Sequence, residues 1–245
     1  MVSVITPSYN CAKYISDTID SVINQTYKNW EMIIVDDNSS DNSNEIIEKY
    51  VQRDNRIKFI KLEKNSGPAV ARNRAIEEAT GRYIAFLDAD DLWMSDKLQK
   101  QIDFMQSYNY ELTYTAYETM REDGVNLHHT VIPPKKLNYQ ELLKANRIGC
   151  LSAIYDSKRI GKVYMPLIKK RQDYGLWLKI LKKVDYAYGM DEVLGRYRVM
   201  SNSVSSNKLN LLKYNYRLFR EYEKFSALKS FYYLMWNVYI KIMKK

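Results

Sequence analysis

The sequence has only two cysteines, two histidines and no glycine-rich stretch. Cys11 and Cys150 stand far apart and outside any metal-binding spacing, which excludes a disulfide framework and fits a reducing cytoplasm. His128 and His129 are neighbours, and neighbours on a strand face opposite ways, so they are read as surface residues rather than a ligand pair. No apolar run reaches the ~20 residues of a membrane-spanning helix. The segment 231–240, nearly all apolar or aromatic, is too short to span. Val2-Ser3-Val4-Ile5 reads as a strand with no basic stretch before it and no cleavage site after it, so no signal peptide is expected. Internal repeats and low-complexity tracts are also missing.

What is present is ordinary for a globular protein: 46% hydrophobic and 27% charged residues over a length sufficient for one sizeable domain, with or without a C-terminal appendage. Tyrosine outnumbers phenylalanine 22 to 6, which supplies aromatic area with a polar tip and suits sugar clefts, membrane interfaces or plain packing. A net charge of +9 points to an anionic partner: nucleic acid, an acidic membrane face or a phosphorylated substrate.

Hydrophobic periodicity divides the first ninety or so residues into strands and helices. Strands are expected at Val2–Thr6, Met32–Val35, Ile57–Ile60 and Tyr83–Leu87. Helical stripes run through Ile15, Ile19, Val22 and Ile23, and through Ile46, Ile47, Tyr50 and Val51. The cluster 38–42 supplies turn and cap chemistry, Pro68 opens a third helix reaching about Ala79, and Gly81 ends it. This alternation implies a parallel sheet covered on both faces, with ligands bound outside the carboxyl ends of its strands. Polar residues collect at those ends: Pro7-Ser8-Tyr9-Asn10, Asp36-Asp37 and Asp88-Ala89-Asp90-Asp91.

The second half is less regular. A strand is expected at Leu112–Glu118, a hairpin or loop over 121–134, a helix at Tyr139–Ala145 and a strand at Cys150–Tyr155. A helix follows at Asp173–Lys182 with Trp177, Leu178 and Leu181 inward, then a late strand at Val193–Tyr197 and a Ser/Asn-rich loop over 200–207. From there the chain reads as helical, basic and aromatic.

Phe86-Leu87-Asp88-Ala89-Asp90-Asp91 carries the strongest chemical signal. Two acids one residue apart can hold a hard divalent cation through oxygen and leave room for diphosphate oxygens. Such a cation would stabilise a diphosphate leaving group. For Asp91 the alternative is a cap on a helix starting near Leu92.

Val-Ser-Val-Ile-Thr-Pro-Ser-Tyr-Asn, Ile-Ile-Val-Asp-Asp-Asn-Ser-Ser-Asp, Asn65-Ser66-Gly67 with Ala71-Arg72-Asn73, and Phe-Leu-Asp-Ala-Asp-Asp, in that order, resemble glycosyltransferase family 2. The match spans residues 2–97 and continues more weakly to about 208. The resemblance implies the GT-A (nucleotide-diphospho-sugar transferase) α/β fold: a mainly parallel central sheet flanked by helices, with a helical C-terminal tail. It implies a catalytic domain over 1–208, made of a nucleotide-binding half (1–97) and an acceptor-binding half (98–208), followed by the basic, aromatic tail 209–245. It also implies an inverting hexosyltransferase that carries sugar from a nucleotide donor, UDP being usual, to a glycan or lipid-linked glycan in bacterial surface polysaccharide synthesis (capsule, O-antigen or teichuronic-type).

By that resemblance Pro7 and Tyr9 lie beside the base, Asp37 bonds it, Arg72 sits near the nucleotide, Asp88 contacts the ribose, and Asp90 holds Mn²⁺ or Mg²⁺. For Tyr9, rim or core packing is the alternative. The family's catalytic base corresponds to Asp173 in Arg171-Gln172-Asp173-Tyr174, where Gln172 stands in place of the usual Glu; the alternative for Asp173 is a helix cap. Arg198, Ser203 and Lys208 match a loop that closes over the diphosphate, the alternative being an ordinary solvated loop.

The tail, 224–245, mixes aromatics with lysines and suits contact with an anionic inner membrane face, packing on the catalytic domain, or a second subunit. Competing classes fit less well. A nucleotidyltransferase would show a Gly-rich phosphate loop after the first strand, where Pro7-Ser8-Tyr9-Asn10 stands. A nucleic-acid or membrane binder does not explain acids at converging strand ends, so no nucleic-acid partner is expected. A catalytically silent relative remains open through Gln172.

Overall fold

The computed structural model describes residues 1–200 and 208–243. Strands β1 (Val2–Ser8), β2 (Trp30–Asp36), β3 (Ile57–Lys61) and β4 (Tyr83–Phe86) pair in parallel in the order β3-β2-β1-β4. Helices α1 (Ile15–Ile23), α2 (Ser43–Arg53) and α3 (Pro68–Glu78) are the crossovers. The strands are rich in Val and Ile because both faces of the sheet are covered. Alternation then sorts the side chains. Val2, Val4, Met32, Ile34 and Ala85 pack with Ile15, Ile19 and Val22 of α1 on one face. Ile5, Ile33, Val35, Ile84 and Phe86 pack with Ala71, Ala75 and Ile76 of α3 on the other.

Past β4 the sheet becomes mixed. β5 (Leu92–Trp93) is followed by α4 (Lys97–Tyr108), β6 (Leu112–Met120), β7 (Asn126–Val131), β8 (Lys136–Leu137) and α5 (Tyr139–Lys144). Then come β9 (Ile154–Asp156), α6 (Ser157–Ile160), α7 (Gln172–Ile180) and β10 (Ala187–Arg198). The order continues β4-β9-β6-β10-β5, with β9 antiparallel to both neighbours and β10 parallel to β6. Phe86 meets Trp177 edge-on at 5.5 Å, tying β4 to α7 through two fully buried rings.

Several local expectations are corrected. No helix starts at Leu92: residues 92–93 pair with Arg196 and Gly195 of β10, and the helix waits until Lys97. Cys150–Ser152 forms a 3₁₀ turn, so the strand expected at Cys150–Tyr155 shrinks to β9. The late strand is longer than Val193–Tyr197 because β10 pairs along β6 from Tyr188 onward, across two irregularities in register. Gly81 does not end α3, which stops at Glu78; a side chain there would sit 2.7 Å from Ser3 Oγ and 2.8 Å from Ser3 N, so the glycine permits close approach to β1. Gly67, at φ 91°, is the residue that turns the chain into α3, with Pro68 in the first helical position.

The tail is helical: α8 (Lys208–Arg217), a π-helical turn at Leu218–Tyr222, and α9 (Ala227–Met243). Its inner face joins the core. Phe219 meets Tyr174 of α7 edge-on at 6.0 Å, and Asn237 Nδ2 donates to Leu143 O at 3.0 Å. The buried side of the tail therefore packs on the rest of the chain, while an apolar stripe on its outer side stays exposed. No helix among the described residues is long and apolar enough to cross a membrane.

Candidate active site

The carboxyl ends of β1, β2 and β4 lie side by side, so the polar residues that follow them meet. At the end of β2, Asp37 N donates to Ser8 O at 2.8 Å, joining the first two ends. The two carboxylate oxygens of Asp37 accept from the backbone N–H groups of Ser66 (2.7 Å) and Gly67 (2.8 Å), so this acid holds the loop before α3. Each oxygen keeps a further lone pair for a ligand. Asp36 is buried and accepts from Ser8 Oγ (3.1 Å) and Ser39 N (2.7 Å), the role of a turn acid. Pro7 is half-buried in β1, and Tyr9 stands on the rim, 53% exposed.

After β4, a tight turn with Asp91 N bonded to Asp88 O (3.1 Å) presents three acids in four residues. Arg72, reaching across from α3, donates to Asp88 Oδ1 at 2.6 Å and to Gln172 Oε1 at 2.9 Å. Burial opposes the charge on Arg72, but the Asp88 carboxylate outweighs it and holds the guanidinium firmly protonated. Gln172 is itself buried and passes its amide hydrogens to Ile168 O (2.9 Å) and Lys169 O. A glutamate could accept from Arg72 but could not donate to those carbonyls. The departure from the usual Glu-Asp pair is thus built into the local hydrogen bonding.

Asp173 lies in the first turn of α7, half-buried, and its Oδ2 accepts from Asn146 Nδ2 at 3.2 Å. It does not cap the helix: the cap position is Arg171, and no side-chain cap bond forms. Arg72 feels the charge of both Asp88 and Asp173, so one guanidinium lies between the acids after β4 and the acid of α7. The nearby Cys150 thiol is pushed well up by burial and by Asp88, which keeps it neutral.

Asp90 and Asp91 sit in a crowd of negative charge. Burial, then Asp88, pushes the Asp90 carboxyl up to about 6. Burial and Asp90 push Asp91 up as well, while Arg198 N donates to its Oδ1 at 2.9 Å. Asp88 and Asp90 are both half-buried, separated by one residue in the turn; two carboxylates could supply part of the oxygen shell of a hard cation, phosphate oxygens and water the rest.

Arg198 ends β10 and is buried, with Nε donating to Asp90 O (2.8 Å) and Nη1 to Glu122 O (2.9 Å). This corrects its expected place on a closing loop: it buttresses the acidic turn. Ser203 lies outside the described residues, and Lys208 is the first residue of α8. His128 and His129 are exposed on β7, where His129 pairs with Thr119 of β6.

The family model described as glycosyl transferase family 2 matches residues 3–157. The chain belongs to glycosyltransferase family 2. It is 47% identical, over 94% of its length and 91% of the relative's, to the putative teichuronic acid biosynthesis glycosyltransferase TuaG of Bacillus subtilis. It is 38% identical, over its full length and 94% of the relative's, to the Escherichia coli UDP-Glc:alpha-D-GlcNAc-diphosphoundecaprenol beta-1,3-glucosyltransferase WfgD. Among solved structures it resembles Staphylococcus aureus TarS 1-349 in complex with UDP-GlcNAc, with a TM-score of 0.75 and 20% identity over 95% of this chain and 70% of that one. It also resembles the Pyrobaculum calidifontis mannosyltransferase PcManGT in complex with GDP-Man and Mn²⁺, at 0.70 and 19% over 95% and 69%. The protein is a glycosyltransferase of the GT-A fold, as its motifs led one to expect.

Proposed function

We propose that the protein transfers a sugar from a UDP-sugar, with inversion, to a hydroxyl of a lipid-linked glycan acceptor in surface polysaccharide synthesis at the cytoplasmic face of the membrane. The observation that carries this reading is the Asp88–Arg72–Gln172 bridge. It joins the acidic turn after β4, where a donor's diphosphate would lie, to the helix that presents Asp173. Donor and acceptor chemistry are thereby held to one rigid frame. The donor and acceptor classes follow WfgD, whose name gives UDP-Glc and a diphosphoundecaprenol-linked sugar.

In this reading Pro7 and Tyr9 border the base, Asp37 accepts its imide N–H, and Asp88 reaches the ribose. Asp90, with Asp88 beside it, would hold Mn²⁺ or Mg²⁺. The raised Asp90 carboxyl marks a site short of positive charge, which fits a cation. Bound there, the cation would neutralise charge gathering on the departing diphosphate. Asp173 takes the proton of the attacking hydroxyl, and Asn146 orients its carboxylate. Arg72 keeps Asp88 in place, and Arg198 keeps the turn closed behind Asp90.

The outer face of α9 supplies the membrane contact. Leu228, Phe231, Tyr232, Met235, Tyr239 and Ile242 fall at helical spacing, and each is about half exposed or more. Lys229 and Lys241 are exposed on the same helix, and the chain carries +9, so an anionic bilayer surface complements it.

Calorimetry with UDP, GDP and TDP, with and without Mn²⁺, paired with a transfer assay, tests the site. Mn²⁺-dependent binding of UDP is expected. Asp173→Asn should bind UDP as the wild type does, yet lose about 10²–10⁴-fold in transfer rate. Failure of all three nucleotides to bind with metal would overturn the reading.

A further inference from the structure

A neutral hydroxyl stands among the acids of the site. β9 is antiparallel to both β4 and β6, so β6 runs the same way as β4 and its later residues reach the edge that carries the acidic turn. Tyr117 is one of them, beyond Thr113, which pairs with Ile154 of β9. Its ring lies against the backbone that precedes the 3₁₀ turn Cys150–Ser152. A side chain on Gly149 would sit 2.6 Å from Tyr117 Cε1 and 3.2 Å from Cζ, so only glycine admits the ring there. The ring also meets Tyr197 at 6.3 Å, the residue before Arg198, whose N–H bonds Asp91.

Cys150, next to Gly149, feels the charges of Asp88, Arg72, Asp173 and Asp91. The backbone under the Tyr117 ring therefore borders the acidic turn, the bridging guanidinium and the acid read as the base. The hydroxyl itself feels two of these acids. Burial, then Asp91, then Asp173, push it up to about 12, so it stays protonated. Tyr117 is half-buried, with its hydroxyl open to solvent and without a hydrogen bond among the described residues.

This hydroxyl differs in kind from its neighbours. Ionised carboxylates only accept, and Arg72 already donates to Asp88 and Gln172. A phenol both donates and accepts, and its ring adds apolar area. A sugar presents the matching surface, with hydroxyls at its rim and C–H groups on its faces. A sugar joined to a diphosphate at the acidic turn and attacked by a hydroxyl at Asp173 lies between those acids. Asp91 acts on the Tyr117 hydroxyl more strongly than Asp173 does, which sets it on the donor's side.

We infer that Tyr117 walls the pocket for the transferred sugar and that its hydroxyl bonds a hydroxyl of that sugar. The inference rests on the UDP-sugar reading given above and gives the sugar a recognition residue. Tyr117 holds the sugar and exchanges no proton with it. A sugar lacking the matching hydroxyl leaves the phenol unpaired, which is how such a contact discriminates.

The test is calorimetry on the full chain with Mn²⁺, using UDP, UDP-glucose, UDP-N-acetylglucosamine and UDP-glucuronate. The UDP-sugar that the wild type binds best is then given to Tyr117→Phe and Gly149→Ala. Tyr117→Phe should keep the wild-type melting temperature and UDP affinity, yet bind the UDP-sugar about tenfold more weakly, the loss of one hydrogen bond. Gly149→Ala, which displaces the ring, should also weaken the UDP-sugar and spare UDP. Among single-deoxy analogues of that sugar, one should bind the wild type about tenfold more weakly and lose nothing further in Tyr117→Phe, a pairing that a merely structural ring would not give. Unchanged UDP-sugar affinity in Tyr117→Phe, equal losses for UDP and UDP-sugar, or the same further loss for every deoxy analogue would overturn the inference. If the wild type binds neither UDP nor any UDP-sugar, the donor reading fails and takes the inference with it. If the wild type binds them and Tyr117→Phe binds them equally well, the donor reading stands and the inference alone falls.

Discussion

The two ends of the parallel strands treat a buried carboxylate in opposite ways. At the amino ends, Glu31 of β2 accepts from Ser3 Oγ (2.6 Å), Thr80 N (2.7 Å), Thr80 Oγ1 (2.8 Å) and the Lys58 ammonium (2.8 Å). Burial works against its charge, but the Lys58 ammonium and the surrounding donors prevail and hold its carboxyl down at about 2. At the carboxyl ends, Asp90 has burial and Asp88 against it and is pushed up to about 6. The same sheet thus carries an acid saturated with donors, which stitches strands together, and one whose charge its neighbours oppose. Burial opposes the charge of both acids and their donors differ, which is the contrast expected if Asp90 has the role proposed above.

The contrast can be broken at either end. The largest effect is expected from Asp90→Asn: transfer should fall by about 10³-fold or more, as loss of a charge-stabilising group does, and Mn²⁺-dependent UDP binding should disappear in calorimetry. Its stability should not fall. An acid raised from 3.8 to about 6 in the fold opposes folding at neutral pH. Its removal should therefore stabilise by up to about 3 kcal/mol at pH 7, a gain that vanishes below the unfolded value. A large drop in melting temperature would make Asp90 a structural acid like Glu31.

Glu31→Gln should do the reverse, leaving activity per folded molecule intact and costing about 3 kcal/mol, read by urea denaturation. The Glu31 carboxyl lies at about 2 in the fold against an ordinary 4.5. Its stabilisation is therefore complete above pH 4.5 and is lost as pH falls toward 2, and the variant should lack that part of the acid transition.

A smaller effect sharpens the comparison with a base. Lys97 is fully buried, bonded to Gln101 Oε1 and placed 4.8 Å from the Trp93 ring, and burial lowers its ammonium to about 7. Among the described residues it has no ion pair. With the folded value depressed below the ordinary 10.5, the lysine opposes folding fully at and below pH 7, and the penalty fades as pH rises to 10.5. Lys97→Met should stabilise by roughly 2 kcal/mol at pH 7 and by less at pH 10, measured by urea denaturation at both. No gain at neutral pH would show that the lysine's hydrogen bonds offset its burial.

Much of this was legible in the chain. The Val/Ile runs followed by Pro7, Asp37 and Asp88 announce strands with polar carboxyl ends, since alternation of period and a break to polar residues are local properties. Gln172 was visible as a departure, but its bonds to Arg72, 100 residues away, were not. Arg198 was read with the Ser/Asn-rich loop that follows it, because spacing cannot say that its side chain turns back under Asp90. The helix start misread at Leu92 failed for a related reason: an acid-rich turn caps a helix or ends a strand, and only β10 lying alongside decides for the strand. Nothing local marked Asn146 as the partner of Asp173, 27 residues on.

Local pattern in the chain dictates the order of the first four strands and three helices, the acids at the strand ends and the apolar stripe of α9, because each depends on residues a few positions apart on one element. Long-range packing settles which acid is saturated and which is opposed by its neighbours, where Arg72 and Arg198 bind, and that Asn146 meets Asp173. Those facts depend on donors brought in from distant segments, and long-range packing, rather than local spacing, chooses the partners.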